Sequence, residues 1–314
     1  METKINLKDR IRGAIIGLLV GDALGVPYEF HARQEIPAPE EIEFAPPHYF
    51  RRAHAGVLPG TYSDDGAQAL ILLNSLLECD RFDAAHFAGG LVDWYDKGFM
   101  AVGGEVFDVG IQTADSIRAL KRGVEPLRAG GADEYSNGNG SLMRVLPLAL
   151  LSRGTDLELV ADAFDQSAVT HAHRRSQLCC ALYCLWARRI LQNVDNAWDR
   201  AVAAHCEIFP AGTVENTEFE TRILPKNAEY DIKGGGYVVD SLRAAHWLNG
   251  NHKTYEETVK AAVSLGDDTD TTACIAGGIA GLIHGFETIP PRWTDNLRGA
   301  EIYAPLLEKL LEKF

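Results

Sequence analysis

Carboxylates and hydroxyls crowd into two short stretches of this chain about 200 residues apart, Ser63-Asp64-Asp65 and Asp267-Asp268-Thr269-Asp270-Thr271. Each opens directly into an apolar segment of helical composition. Negative charges packed this closely repel one another, and hard divalent cations with oxygen ligands are the usual agents that remove the cost. A Ser or Asp at a helix start is ordinary capping, and Ser63-Asp64-Asp65 taken alone asks for nothing more. The second stretch does. A cap uses one carboxylate, whereas Asp267, Asp268 and Asp270 provide three, and Thr269 and Thr271 add hydroxyl oxygens. An octahedral Mg²⁺ or Mn²⁺ takes such ligands at about 2.0–2.2 Å, and two ions sharing a carboxylate sit ~3.5–4 Å apart, so the stretches read as halves of one site.

Three further segments carry chemistry-bearing residues. Ser136-Asn137-Gly138-Asn139-Gly140-Ser141-Leu142-Met143-Arg144 places glycines and small polar groups before a helix, either as a plain capped loop or as a cradle of backbone N–H groups for phosphate. Its spacing is not that of a P-loop or a dinucleotide fold. Gly21-Asp22-Ala23-Leu24-Gly25 closes the first helix, and Glu29 then begins an irregular run to Thr61 holding Pro37, Pro39, Pro46, Pro47 and Pro59. That run is too long for an ordinary connector, which suggests a lid or a site-lining loop. Thr170-His171-Ala172-His173 precedes another helix; such a pair packs or caps more often than it catalyses, though it can ligate a transition metal.

Helices must position these residues. Leu178, Leu182, Leu185 and Ile190 share one face of the segment 174–191, and similar periodicity runs through 11–24, 67–77, 115–122, 141–151, 157–168, 235–248, 255–264, 271–283 and 303–311. Alternating strand patterns are scarce, which predicts an all-α fold rather than βαβ units. No Gly/Ser or Pro linker divides the chain, so one domain over 1–314 is expected. Ala273, Ala276, Gly277, Gly278, Ala280 and Gly281 make the helix after the second acid cluster unusually rich in small residues. Each interior glycine costs roughly 0.5–1 kcal/mol against alanine, so close packing against a neighbour is expected there.

The bulk numbers set limits. With 314 residues and 46% hydrophobic content the chain can bury a substantial core. A net charge of −14 argues against a broad nucleic-acid-binding surface, which is built from Lys and Arg. The six cysteines form no CxxC pair and no zinc spacing, and read as reduced, buried residues. The apolar run 11–20 is interrupted by Gly13 and Gly17 and followed by Asp22, and no signal-peptide pattern opens the sequence, so a soluble, cytoplasmic protein with no membrane association is expected.

In this order the motifs, Gly21-Asp22-Ala23-Leu24-Gly25 with Glu29, Ser63-Asp64-Asp65, Asn137 to Arg144, Thr170-His171 and Gly266 to Thr271, resemble those of the ADP-ribosylglycohydrolase family, from Arg12 to about Gly285. The resemblance implies a compact all-α domain, a monomer, with two Mg²⁺ or Mn²⁺ in a cleft. Ser63, Asp64, Asp65, Asp268, Asp270 and Thr271 are the implied metal ligands, and Asp267 is not one. It further implies that Glu29 is a loop carboxylate near the scissile bond, and that Ser136, Gly138, Asn139, Gly140, Ser141 and His171, with Asp108 and Gly110, belong to the ADP-ribose pocket. Water would attack ribose C1″ to free an ADP-ribosylated protein, most simply at arginine, or a small-molecule ADP-ribose conjugate, with Glu29 or Asp65 steering it. A nucleic-acid acceptor is not indicated. One departure stands out: many members carry Thr after the first Asp pair, where this chain has Gly66. The competing readings are a non-catalytic ADP-ribose-binding or structural homologue and an all-α Mg²⁺-dependent prenyl or terpene synthase. The latter needs DDxxD spacing that neither cluster provides.

Overall fold

The computed structural model describes residues 6–225 and 231–314. Among these residues there are fourteen α-helices and no sheet, as the periodicity predicts. In chain order they are α1 (Leu7–Gly25), α2 (Asp64–Cys79), α3 (Ala84–Lys97), α4 (Ile111–Lys121), α5 (Leu146–Leu151), α6 (Asp156–Ala168) and α7 (Arg174–Leu191). The second half adds α8 (Ala197–Ile208), α9 (Val214–Glu218), α10 (Val238–Asn251), α11 (Tyr255–Val263), α12 (Thr269–His284), α13 (Pro291–Thr294) and α14 (Ala300–Glu312).

The axis of the fold is the antiparallel pair α1 and α12. Gly13, Gly17, Gly21 and Gly25 recur every four residues along one face of α1, and opposite them stand Gly281, Gly277, Ala273 and Asp270 of α12. A Cβ on Gly17 would lie 2.6 Å from the Gly277 carbonyl oxygen, and one on Gly277 2.5 Å from that of Gly17. The two backbones therefore meet with no side chain between them, which is the close packing that the small residues of α12 predict. This pair brings Gly25, at the end of α1, against Asp270, at the start of α12. Thr269 Oγ1 closes the junction by donating to the Gly25 carbonyl at 2.8 Å. By length and composition α1 could cross a bilayer, but its apolar window is 94% buried in the protein core.

Two helices start later than the periodicity suggests, for local reasons. The segment 141–151 is helical only from Leu146, because Pro147 has no N–H to donate and suits a first turn, while 139–145 folds into tight turns. α10 begins at Val238 rather than 235, since the glycines before it pair with another loop: the Asn139 N–H donates to the Gly236 carbonyl at 3.1 Å. α3 and α8, and the short α9 and α13, are helices the periodicity did not mark. For α3 the signals were present as caps, Asp83 accepting from the His86 N–H and Gly98 ending the helix at φ 71°.

Candidate active site

The first acid cluster sits on the opening turn of α2. Ser63 is its N-cap, with Oγ accepting from the Asp65 N–H. A residue of α1 completes the cap. Asp22, fully buried, accepts from the Ser63 N–H at 2.9 Å and the Gly66 N–H at 2.7 Å. An anion placed on exposed amides at a helix N-terminus is favourable, and here it also fixes the direction in which Asp64 and Asp65 leave the helix. Burial nevertheless pushes the Asp22 carboxyl up to about 7, against the pull of those amides.

The second cluster opens α12. Asp267 is exposed and left-handed (φ 60°), and its backbone does the work: its N–H donates to the His31 carbonyl at 2.7 Å and its carbonyl accepts from the Phe30 N–H at 2.8 Å. These two bonds moor the loop that carries Glu29. In consequence carboxylate oxygens of Glu29, Asp268 and Asp270 lie within 4.8 Å of one another. Thr271 Oγ1 reaches Asp65 Oδ2 at 3.4 Å, so the clusters that are distant in sequence touch.

Among the described residues, Asp65 Oδ1 and Asp270 Oδ2 are buried without a hydrogen-bond partner. Buried carboxylate oxygens are normally satisfied, and a cation is the group that would satisfy several at once. Burial, reinforced by neighbouring carboxylates, raises Asp64, Asp65 and Asp270 well above the ordinary range and pushes Glu29 up to about 10. Removing that penalty is what a divalent ion does, so hard oxygen donors in this number fit a hard divalent cation.

Glu29 has a second partner. His54, from the far part of the same loop, sits with Nε2 2.6 Å from Glu29 Oε2 and 3.9 Å from Asp108 Oδ1. Its ring lies between Phe30 and Phe107, at centroid distances of 5.5 and 5.2 Å.

A cavity of about 310 Å³ opens beside the carboxylates. Of the residues singled out in the sequence, Glu29, Asp64, Asp65, Asp108, Gly110, Gly138, Asn139, Gly140, His171, Asp268 and Thr271 line it. Ser63 and Asp270 stand beside lining carboxylates, Ser63 Oγ being 3.2 Å from Asp65 Oδ2. Ser136 and Ser141 do not line it. Ser136 Oγ donates to Asp133, and Ser141 is fully buried, its Oγ accepting from Ser167 Oγ at 2.8 Å. Asn139 is committed on two sides: its Nδ2 donates to Asp268 Oδ2 at 2.8 Å and to Ser241 Oγ at 3.0 Å. Gly140, which follows it, is needed by His171, since a Cβ there would lie 2.8 Å from His171 Cε1. Burial holds His171 neutral, down to about 3. His173 is a cap, accepting from the Arg175 N–H at 3.2 Å.

The sequence reading gave no site role to Asp22, His54, Gln68 or Gly234 to Gly236. Asp22 had a signal, an acid inside an apolar helix. Gly234 had none, yet its carbonyl accepts from the Asp268 N–H at 2.9 Å and so helps fix the second cluster.

The chain matches the ADP-ribosylglycohydrolase family over residues 3–314. The chain belongs to that family. It is 30% identical over 307 residues to the ADP-ribosylarginine hydrolase Tri1 of Pseudomonas putida (strain GB-1), covering 97% of this chain and 78% of that protein. It is 27% identical to the ADP-ribosyl-[dinitrogen reductase] glycohydrolase of Rhodospirillum rubrum, covering 93% and 91%. A solved structure described as an ADP-ribosylglycohydrolase-related protein complex superposes with a TM-score of 0.77 at 29% identity, covering 98% of both chains. This ADP-ribosylglycohydrolase is thus a hydrolase that removes ADP-ribose from a modified acceptor. Its Gly66 also has a local reason: a Cβ there would lie 2.8 Å from Leu19 Cδ2 and 2.9 Å from Asp22 Oδ2, so the position a Thr would occupy is filled.

Proposed function

We propose that this glycohydrolase releases ADP-ribose from arginine side chains of modified proteins, using two Mg²⁺ or Mn²⁺ ions. The observation that carries the reading is the meeting of Glu29, Asp268 and Asp270 within 4.8 Å, beside buried carboxylate oxygens that lack partners. Asp64, Asp65, Asp268 and Asp270, with the hydroxyls of Ser63 and Thr271, would hold the ions. When bound, such ions act as Lewis acids toward sugar oxygens and supply the positive charge that this cluster lacks.

The chain's own groups account for the rest. Hydrolysis breaks the bond between ribose C1″ and the guanidinium nitrogen and delivers a water oxygen to C1″ and a proton to the departing nitrogen. Glu29, at the cavity wall and held by His54, is the carboxyl group placed to steer the attacking water or exchange its proton. The bare backbone at Gly138 and Gly140 lets a ligand approach closely, and His171 stands over it. Glu29 and Asp108, the lining carboxylates left over from the ions, favour a cationic acceptor such as guanidinium over a neutral one, and the relatives named as ADP-ribosylarginine hydrolases support the same choice.

The test is a panel of proteins and peptides bearing ADP-ribose on arginine or on serine, assayed for ADP-ribose release after chelation and after adding Mg²⁺ or Mn²⁺. Release from arginine alone, restored by the ions, is expected. Release from serine only would overturn the acceptor, and full activity in chelator would overturn the metal.

A further inference from the structure

Arg144 is buried to 0% exposure at the centre of the molecule, and it forms no ion pair among the described residues. Burying a guanidinium without a counter-ion is costly unless its donors are spent well. They are spent on three side chains and a carbonyl. Nη1 donates to Gln68 Oε1 at 2.7 Å, Nη2 to Thr170 Oγ1 at 2.7 Å and to the Gln166 carbonyl at 3.0 Å, and Nε to Gln166 Oε1 at 3.2 Å. The group also lies over the Phe87 ring, 5.0 Å from its centroid.

Two of these bonds continue in a fixed direction. Gln68 cannot flip, because its oxygen is claimed by Arg144; its Nε2 is therefore the atom facing Asp64, and it donates to Asp64 Oδ2 at 2.8 Å. Thr170 Oγ1 accepts from Arg144 and lies 2.7 Å from His171 Nδ1, so giving its own hydrogen to Nδ1 is the arrangement that uses every group once. With Nδ1 an acceptor, the neutral imidazole must carry its proton on Nε2, the atom that faces Gly138 and Gly140 on the cavity wall.

We propose that Arg144 is a positioning residue with two arms, one fixing Asp64 of the acid cluster through Gln68, the other locking His171 as an Nε2–H donor toward the ligand through Thr170. One buried cation thus sets both the carboxylate end and the donor end of the cleft. A donor at that position suits an oxygen acceptor, a phosphate or ribose oxygen of the ligand. That last point rests on the functional reading above, whereas the tautomer does not.

The test uses the full chain and four variants. Nitrogen-15 NMR of His171 reads the tautomer, and calorimetry reads the affinities for ADP-ribose and for Mn²⁺. In the wild type His171 is expected to carry its proton on Nε2 alone. Thr170→Val should release a mixture of tautomers and weaken ADP-ribose binding roughly 5–10-fold, with Mn²⁺ affinity kept. Gln68→Leu should weaken Mn²⁺ binding about 10-fold or more and leave the tautomer unchanged. Arg144→Met should do both, and Arg144→Lys, a point charge that cannot fork, should recover at most one arm. If Arg144→Met does not fold, the two single-arm variants decide. A wild-type proton on Nδ1, an unchanged tautomer in Thr170→Val, or unchanged Mn²⁺ affinity in Gln68→Leu overturns the proposal. A wild type that fails to bind ADP-ribose overturns the functional reading instead, and the NMR result still decides the tautomer arm.

Discussion

The α1–α12 pair and the loop from Glu29 to Thr61 deliver carboxylates to the same cluster by opposite means. The four glycines of α1 meet the backbone of α12 directly, so Asp22 and Asp270 are placed by two backbones that have no room to shift. Around Glu29 the loop is held by directed bonds: Phe30 and Asp267 through the backbone, Ala53 N–H to the Pro27 carbonyl at 2.9 Å, and His54 to Glu29, while Ile42 and Phe44 further on are buried in the core. Phe30 and His54 both adopt left-handed backbone, at φ 64° and 46°. Rigid packing suits ligands that must hold a fixed cation geometry, while a loop moored at a few points suits a carboxylate that handles a proton as substrate enters and product leaves.

Four experiments test that contrast. On the rigid side, Asp270→Asn should abolish hydrolysis, by roughly a thousandfold or more, with metal content lost in step. A variant that keeps both would remove Asp270 from the ligand set. On the loop side, Glu29→Gln should lower turnover by about 10²-fold while ADP-ribose binding survives; full turnover would take Glu29 out of the mechanism. Gly17→Val should cost about 1–3 kcal/mol by forcing the helices apart, seen as a drop in the thermal midpoint together with weaker Mn²⁺ binding. Unchanged unfolding there would show that the pair is looser than described.

The smallest effect concerns pH. Burial raises Asp22 to about 7 and Glu29 to about 10, so the folded state holds protons that the unfolded chain has released. A group raised in this way stabilises the fold fully below its unfolded value and loses that contribution as pH climbs through the folded one. Chelated protein should therefore melt a few degrees lower at about pH 9 than at about pH 7, and added Mg²⁺ should shrink the difference. Equal melting points in chelator would contradict it.

Helical class and the chemical character of both acid clusters were legible because each is written in consecutive residues or in a 3.6-residue period. Asp64, Asp65, Asp268 and Asp270 could be named from their crowding, and the small residues of α12 announced a close neighbour without saying which. That the neighbour is α1, in antiparallel register, came only from the folded chain, since Gly13, Gly17 and Gly21 by themselves fit any tight helix contact. His54 and Gln68 were silent for the same reason: one in a long loop and one in an apolar helix, they gain meaning only from Glu29 and Arg144 across the fold. Residue type sets which bonds a side chain can make, and it does so alone. Which partner arrives to make them depends on contacts between segments far apart in the chain, and those exist only once the helices have packed.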